Sequence, residues 1–321
     1  MSSFLPNDLI ISVFEQHLAV KPDAVQITAR QDDDFVQAYQ VETDQGSFVL
    51  RMAPSEANQH LFFEYNMLPR EANLLAKLRN QTTIPIPDVV VADFDHQLVD
   101  YDFMIIRAVP GVVYSQISTL NHAQHDRVYT QLGTFLQQLH AICGTYYGYN
   151  GPSSALAGQP NWKQAFAGMW RSLIQDVQNC GLYNREEAES LVDLFESYSA
   201  YFDHSVSPCL LHMGIRKENI IVDTKGNING LLGFETALWG DPELDFAVLD
   251  CSGIWASAFW TGYGQVRPND LGSRTRRKFY MLYEVQRHIP LTLNRYHDPE
   301  EAEQYKQTAM TIATNLASLE P

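Results

Sequence analysis

The sequence predicts an α+β protein of two lobes with a cleft between them. Three observations carry this: the first third is rich in strand-like runs, Pro110-Gly111 interrupts the chain, and the remainder is dominated by apolar stripes at helical spacing. At 321 residues the chain also exceeds the size at which one core usually divides.

The elements follow in order. Asn7 can cap an opening helix whose Ile10, Val13, Phe14, His17 and Leu18 share one face. From Val25 to Met52 the period becomes that of strands. Ala38 to Val41 and Phe48 to Arg51 flank the turn Asp44-Gln45-Gly46, a hairpin signal. Pro69 suits the first turn of a second helix striped by Leu68, Leu74, Leu75 and Leu78. Two more strand-like runs cover Asp88–Ala92 and Phe103–Val109. After the Pro-Gly break come helices with Leu132, Phe135, Leu136 and Leu139 on one side, then about Arg185 to Phe202. Short strands return between Leu210 and Phe234, and the tail from Pro299 to Leu319 reads as helix.

Composition narrows the function. With 22 Lys and Arg against 38 Asp and Glu the formal charge is −16, the wrong sign for binding a phosphate backbone through counterion release. The four cysteines, at 143, 180, 209 and 251, form no C-x-x-C pair, and are expected as buried thiols in a reducing compartment. The first 20 residues lack Lys and Arg and no apolar run approaches the ~18 residues of a membrane span. A soluble cytoplasmic protein with no nucleic-acid or membrane partner is expected.

The chemistry concentrates in two stretches. Leu210-Leu211-His212-Met213-Gly214-Ile215-Arg216-Lys217-Glu218-Asn219 leads into an apolar strand. After a short hairpin comes Gly233-Phe234-Glu235, followed by Trp239-Gly240-Asp241-Pro242 and Asp245. In identity and spacing, His212, Asn219, Phe234, Glu235, Trp239 to Pro242 and Asp245 resemble the catalytic loop and metal-binding motif of the aminoglycoside phosphotransferase and choline kinase group. The resemblance runs from about residue 25 to 250. It implies a bilobal protein-kinase-like fold, with a small antiparallel-sheet N-lobe over 1–107 that binds nucleotide. A larger, mostly helical C-lobe over 108–321 would carry the catalytic loop and the acceptor site. It further implies an ATP- and Mg²⁺-dependent kinase acting on a small-molecule hydroxyl.

The resemblance also assigns residues. Arg51, on Phe48-Val49-Leu50-Arg51, stands where many relatives place a lysine over the α- and β-phosphates, and Glu71 of Arg70-Glu71-Ala72 would hold that cation. The backbone from Arg107 to Val109 would meet the adenine ring. His140 reads as a structural residue closing a helix, and Asp241 and Asp245 as holding the following loop and the catalytic-loop backbone.

Two positions depart from the pattern. Gly214 stands at the catalytic Asp, and Gly233 at the metal-binding Asp. The first carboxylate would orient the attacking hydroxyl and the second would ligate the Mg²⁺ bridging the β- and γ-phosphates. Glycine does neither, which leaves Asn219 of the usual metal pair and Glu235, two positions on, as a possible substitute ligand. Gln31-Asp32-Asp33-Asp34-Phe35 replaces the glycine-rich phosphate loop of relatives; it reads equally as a solvated turn.

On the acceptor side stand Trp162, Phe166, Trp170, Trp255, Phe259, Trp260 and Tyr263. At helical spacing such residues are more often core than pocket. Facing the cleft, they would suit an aromatic or amine-bearing molecule. Arg274, Arg276, Arg277 and Lys278 read as a solvated helix face, with an anion site as the minority reading. Three functions stay open: an O-kinase severely impaired as written, a non-catalytic nucleotide- or metabolite-binding pseudokinase, and a kinase fold repurposed for other chemistry.

Overall fold

A computed structural model describes residues 5–30, 36–53, 61–149, 158–254 and 256–318. The chain opens with α1 (Asn7–Leu18), which begins one residue earlier than expected. Pro6 rather than Asn7 is its cap, because the Leu9 and Ile10 amides donate to the Pro6 carbonyl. Strands β1 (Gln26–Arg30), β2 (Gln37–Thr43) and β3 (Gly46–Met52) follow as an antiparallel meander. Gly46 closes the β2–β3 turn at φ +118°, a region that favours glycine. Then come α2 (Met67–Gln81), β4 (Val89–Asp93) and β5 (Phe103–Arg107). They complete one five-stranded sheet in the order β1-β2-β3-β5-β4. Alternation along β3 and β5 turns Phe48, Leu50, Phe103 and Ile105 toward α1, where they pack on Ile10 and Phe14.

The remaining chain is mostly helical, as the apolar stripes require. It comprises β6 (Val112–Val113), α3 (His122–His140), β7 (Gly148–Tyr149), α4 (Trp162–Asn179) and α5 (Arg185–Tyr198). After these stand β8 (Cys209–Leu211), β9 (Ile220–Val222), β10 (Ile228–Leu231), β11 (Leu238–Gly240), α6 (Glu243–Cys251) and α7 (Ser257–Tyr263). Finally come α8 (Leu271–Leu291) and α9 (Pro299–Ala317). Side-chain caps at Asn121, Asn161, Asn184 and Asp270 start α3, α4, α5 and α8. The short strands form two three-stranded sheets, β10-β9-β6 and β7-β11-β8. A five-stranded antiparallel sheet thus precedes a mostly helical region, as the sequence predicts.

The aromatic stripe resolves chiefly into core. Trp162, Phe166 and Trp170 are fully buried with Phe195, Phe202, Phe279 and Tyr280, at ring spacings such as 5.0 Å for Phe166–Phe202. Phe259 and Tyr263 are buried against Phe246; Trp255 lies outside the described residues. Two sequence expectations are corrected. Of the cysteines only Cys209 is buried, Cys180 is half-buried, and Cys143 and Cys251 are exposed. The basic run on α8 is not wholly a solvated face. Arg276 is buried and reaches the Tyr201 carbonyl and Asp241, and Arg277 reaches Glu243, since the interior carboxylates draw these guanidinium groups inward.

Candidate active site

The site is built where β8 ends and where β10 ends. The loop from His212 to Asn219 joins β8 to β9, and Gly233-Phe234-Glu235 follows β10. Hydrogen bonding across β9 and β10, and from the Leu232 amide to the Asn219 carbonyl at 2.8 Å, draws the two stretches together.

Asp245, at the start of α6 and fully buried, fixes the loop backbone. Its Oδ2 accepts the His212 amide at 2.8 Å and its Oδ1 the Met213 amide at 2.7 Å, while His140 Nε2 lies 3.1 Å from Oδ2. His140 in turn contacts the Tyr263 hydroxyl at 2.9 Å. Met213 sits at φ +61°, a left-handed conformation rare for a non-glycine residue. Its carbonyl accepts from Arg287 Nη1 at 3.3 Å. His212 Nδ1 accepts the Gly214 amide at 3.1 Å, which requires the ring proton to be on Nε2. Burial lowers the His212 pKa to about 4, so the imidazole is neutral.

Gly214 and Gly233 are buried and face each other. A Cβ on Gly214 would stand 2.8 Å from the Gly233 carbonyl oxygen and 3.3 Å from His212 Nδ1. Gly233 has φ +86°, and a Cβ there would stand 2.8 Å from Asn219 Cγ. The Asn219 amide donates to the Gly214 carbonyl at 2.8 Å. A Cβ at either position would thus press on the backbone of one glycine or on the Asn219 amide, and the neighbour would have to give way.

The cation expected over the phosphates is on β3. Arg51 is joined to Glu71 of α2 at 2.5 Å and to Glu235 at 3.1 Å. All three are buried, with relative exposures of 7%, 1% and 5%. The turn Phe234–Thr236 packs against α2, which brings Glu235 to Arg51. Arg70, also buried, donates to the Phe63 carbonyl at 2.7 Å and lies over the Tyr149 ring. Burial lowers its pKa, and Tyr149 and Glu235 oppose that. Arg107 ends β5 exposed, over the Phe48 ring; its amide donates to the Asp88 carbonyl, and the Ala108 amide to the Ser47 carbonyl. Val109 lies over Gly230, where a Cβ would meet its Cγ1 at 2.8 Å. Residues 31–35 lie outside the described residues.

Among the described residues around the two glycines, the donor set does not fit Mg²⁺, with Asn219 the one unblocked side-chain candidate of those expected. This hard cation needs oxygen ligands, yet Gly214 and Gly233 supply no side chain and the Glu235 carboxylate is bound to Arg51. Among the described residues no group of three or more His, Cys, Asp or Glu could hold a metal ion.

Sequence reasoning missed the face that α8 presents to the loop. Glu284 and Arg287 pair at 2.7 Å, both fully buried. Arg216 Nη2 reaches Glu284 Oε1 at 3.0 Å and His288 Nε2 at 3.3 Å. Burial alone would raise the Glu284 pKa, but Arg287, His288 and Arg216 hold it well below the carboxylate range. The available signal was a charged pair at i, i+3 on an otherwise apolar helix face. Asp241 is likewise buried, accepting from Tyr280 at 2.8 Å and paired with His204 at 3.0 Å.

Comparison with known proteins identifies the fold and the family. A "Probable ketoamine kinase" from Vibrio cholerae is 32% identical over 139 residues, 40% of this chain; the chain spans only 45% of that relative's length. A candidate fructosamine-3-kinase from Thermobifida fusca superposes with a TM-score of 0.68 at 15% identity, over 97% of this chain and 99% of its own. APH(2″)-IIa in its streptomycin–ATP ternary complex gives 0.63 at 18% identity, over 96% and 97%. No helix among the described residues is long and apolar enough to cross a membrane. Residues 31–282, which include every motif discussed above, match the phosphotransferase enzyme family, and the chain belongs to it.

Proposed function

We propose that this chain is a small-molecule kinase fold whose phosphoryl transfer is disabled at Gly214 and Gly233, and that it binds a nucleotide and a small acceptor without turning them over at a kinase's rate. The observation that carries the reading is the closure of Asn219 over the two facing glycines. It leaves no carboxylate to orient a hydroxyl and none to join Asn219 around a metal, the two functions on which the kinase mechanism depends.

His212 orders the loop and Asn219 fastens it. Arg51, braced by Glu71, is the cation for the phosphates, although a second carboxylate, Glu235, now shares its charge. The Arg107 and Ala108 amides are committed to strand neighbours, so the adenine edge falls to Val109. The names of the relatives point to a ketoamine or fructosamine acceptor, which suits an acidic chain that attracts amines.

The test compares the chain with its Gly214→Asp/Gly233→Asp variant for ATP-dependent transfer to a fructosamine and to gentamicin, with melting followed in ATP with and without Mg²⁺. The chain as written should be stabilised by ATP without dependence on Mg²⁺. The variant should gain transfer by ~10³-fold or more. Transfer by the unaltered chain at ordinary kinase rates would overturn the reading.

A further inference from the structure

Two cysteines outside this site face each other. Cys143, in the turn after α3, and Cys209, the first residue of β8, form an isolated antiparallel bridge. The hydrogen bonds beside it run from the Leu210 amide to the Ile142 carbonyl at 3.0 Å and from the Gly144 amide to the Pro208 carbonyl at 2.8 Å. Both flank the cysteine pair, so the cysteines hold a non-hydrogen-bonded position. There, opposite Cα atoms approach to about 4.5 Å and their side chains leave the same face. A disulfide spans Cα separations of about 4.4–6.8 Å. Cys180 and Cys251 have no such pairing among the described residues.

We propose that Cys143 and Cys209 form a thiol modification site that accepts a small-molecule disulfide, glutathione disulfide being the probe, and is converted by it into an intramolecular disulfide. The exposed Cys143 reacts first. Its thiolate attacks one sulfur of the oxidant, the oxidant's S–S bond breaks, and the departing thiolate takes up the proton that Cys143 released. Cys209, deprotonated in turn, attacks the Cys143 sulfur of the mixed disulfide and expels the second glutathione, which is protonated likewise. Two cysteine thiols are oxidised by two electrons and one glutathione disulfide is reduced to two thiols. Burial raises the Cys209 thiol to about 11, so the second step is the slower. The bond would fasten the end of α3 to the strand that runs through Leu210 and Leu211 into His212.

The reduced full chain is incubated with glutathione disulfide, alkylated and mapped by mass spectrometry without reduction. Two of the four thiols should be lost, the Cys143 and Cys209 peptides should be joined with no glutathione retained, and the melting temperature should rise by several degrees until dithiothreitol reverses it. Cys143→Ser should abolish the link and the shift. Cys209→Ser should stop at a glutathione adduct on Cys143, while Cys180→Ser/Cys251→Ser should behave as the unaltered chain. Glutathione retained on Cys143 with Cys209 still open to alkylation, a link to another cysteine, or no loss of thiols would each overturn the proposal.

Discussion

Arg51 and Glu235 meet at 3.1 Å across 184 positions of sequence, joining the middle of the N-terminal sheet to the residue two places beyond Gly233. Glu235 is thereby the partner of a guanidinium, and its substitution should be felt in stability rather than in metal affinity. Glu235→Gln keeps the shape but removes a buried charge from Arg51, and should lower the unfolding free energy by about 1–3 kcal/mol. Urea denaturation measures the loss. Calorimetric titration with Mg²⁺ should give the same trace before and after the change; a loss of binding in the variant would restore Glu235 as a ligand.

Gly233→Asp alone should destabilise. The left-handed backbone at φ +86° strains a residue with a Cβ by about 1 kcal/mol, and the new side chain must displace Asn219. The total should reach about 1–3 kcal/mol. Adding Asn219→Ala should recover part of it, so a double-mutant cycle by chemical denaturation should show a coupling of about 0.5–3 kcal/mol. Strict additivity would mean the two side chains do not compete for that space.

Much of this site was legible in the sequence because it is local. The spacing from His212 to Asn219, and from there through a short hairpin to Gly233, confines those residues to one loop and one turn joined by paired strands. Arg51 and Glu71 were readable as a cation on a strand and a carboxylate on the next helix. What escaped notice depends on long-range packing: Glu235 turning toward Arg51, the Glu284–Arg287 pair under the loop, Arg276 drawn inward by Asp241, and Cys143 opposite Cys209. All but the Glu284–Arg287 pair join elements far apart in sequence, where no periodicity specifies the partner; that pair is local to α8, and only its place under the loop depends on packing. The exposed cysteines also show the weakness of composition, since thiols that are usually buried were placed in a turn and at a helix end.

Asp245 should be the residue whose loss the loop tolerates least. It accepts the His212 and Met213 amides and contacts His140, all inside the protein. Asp245→Ala strands these groups and should cost more than about 3 kcal/mol. Asp245→Asn, which retains one acceptor oxygen, should cost less. Thermal unfolding of both ranks them, and equal losses would show that the single oxygen Asn retains contributes nothing to holding the loop.

The buried His212 predicts a pH dependence. Its folded pKa of about 4 lies below the ordinary 6.5. Between those values the unfolded chain takes up a proton that the folded chain refuses, so stability falls as pH drops from about 6.5 toward 4. The full span is worth on the order of 3 kcal/mol. Asp176, raised to about 6 by burial, acts oppositely, its contribution being present at low pH and lost as pH rises through about 6. Subtracting the stability of His212→Asn from that of the unaltered chain at each pH cancels Asp176. The difference should decline from pH 7 to pH 4, and a flat difference would exclude His212 as the source.

Met213 stands in its rare conformation because Asp245 and Arg287 grip the backbone on either side of it. None of that grip passes through the side chains that positions 214 and 233 lack. The scaffold that presents a reaction is therefore mechanically independent of the groups that would perform it. The loop holds its shape with no carboxylate at either position.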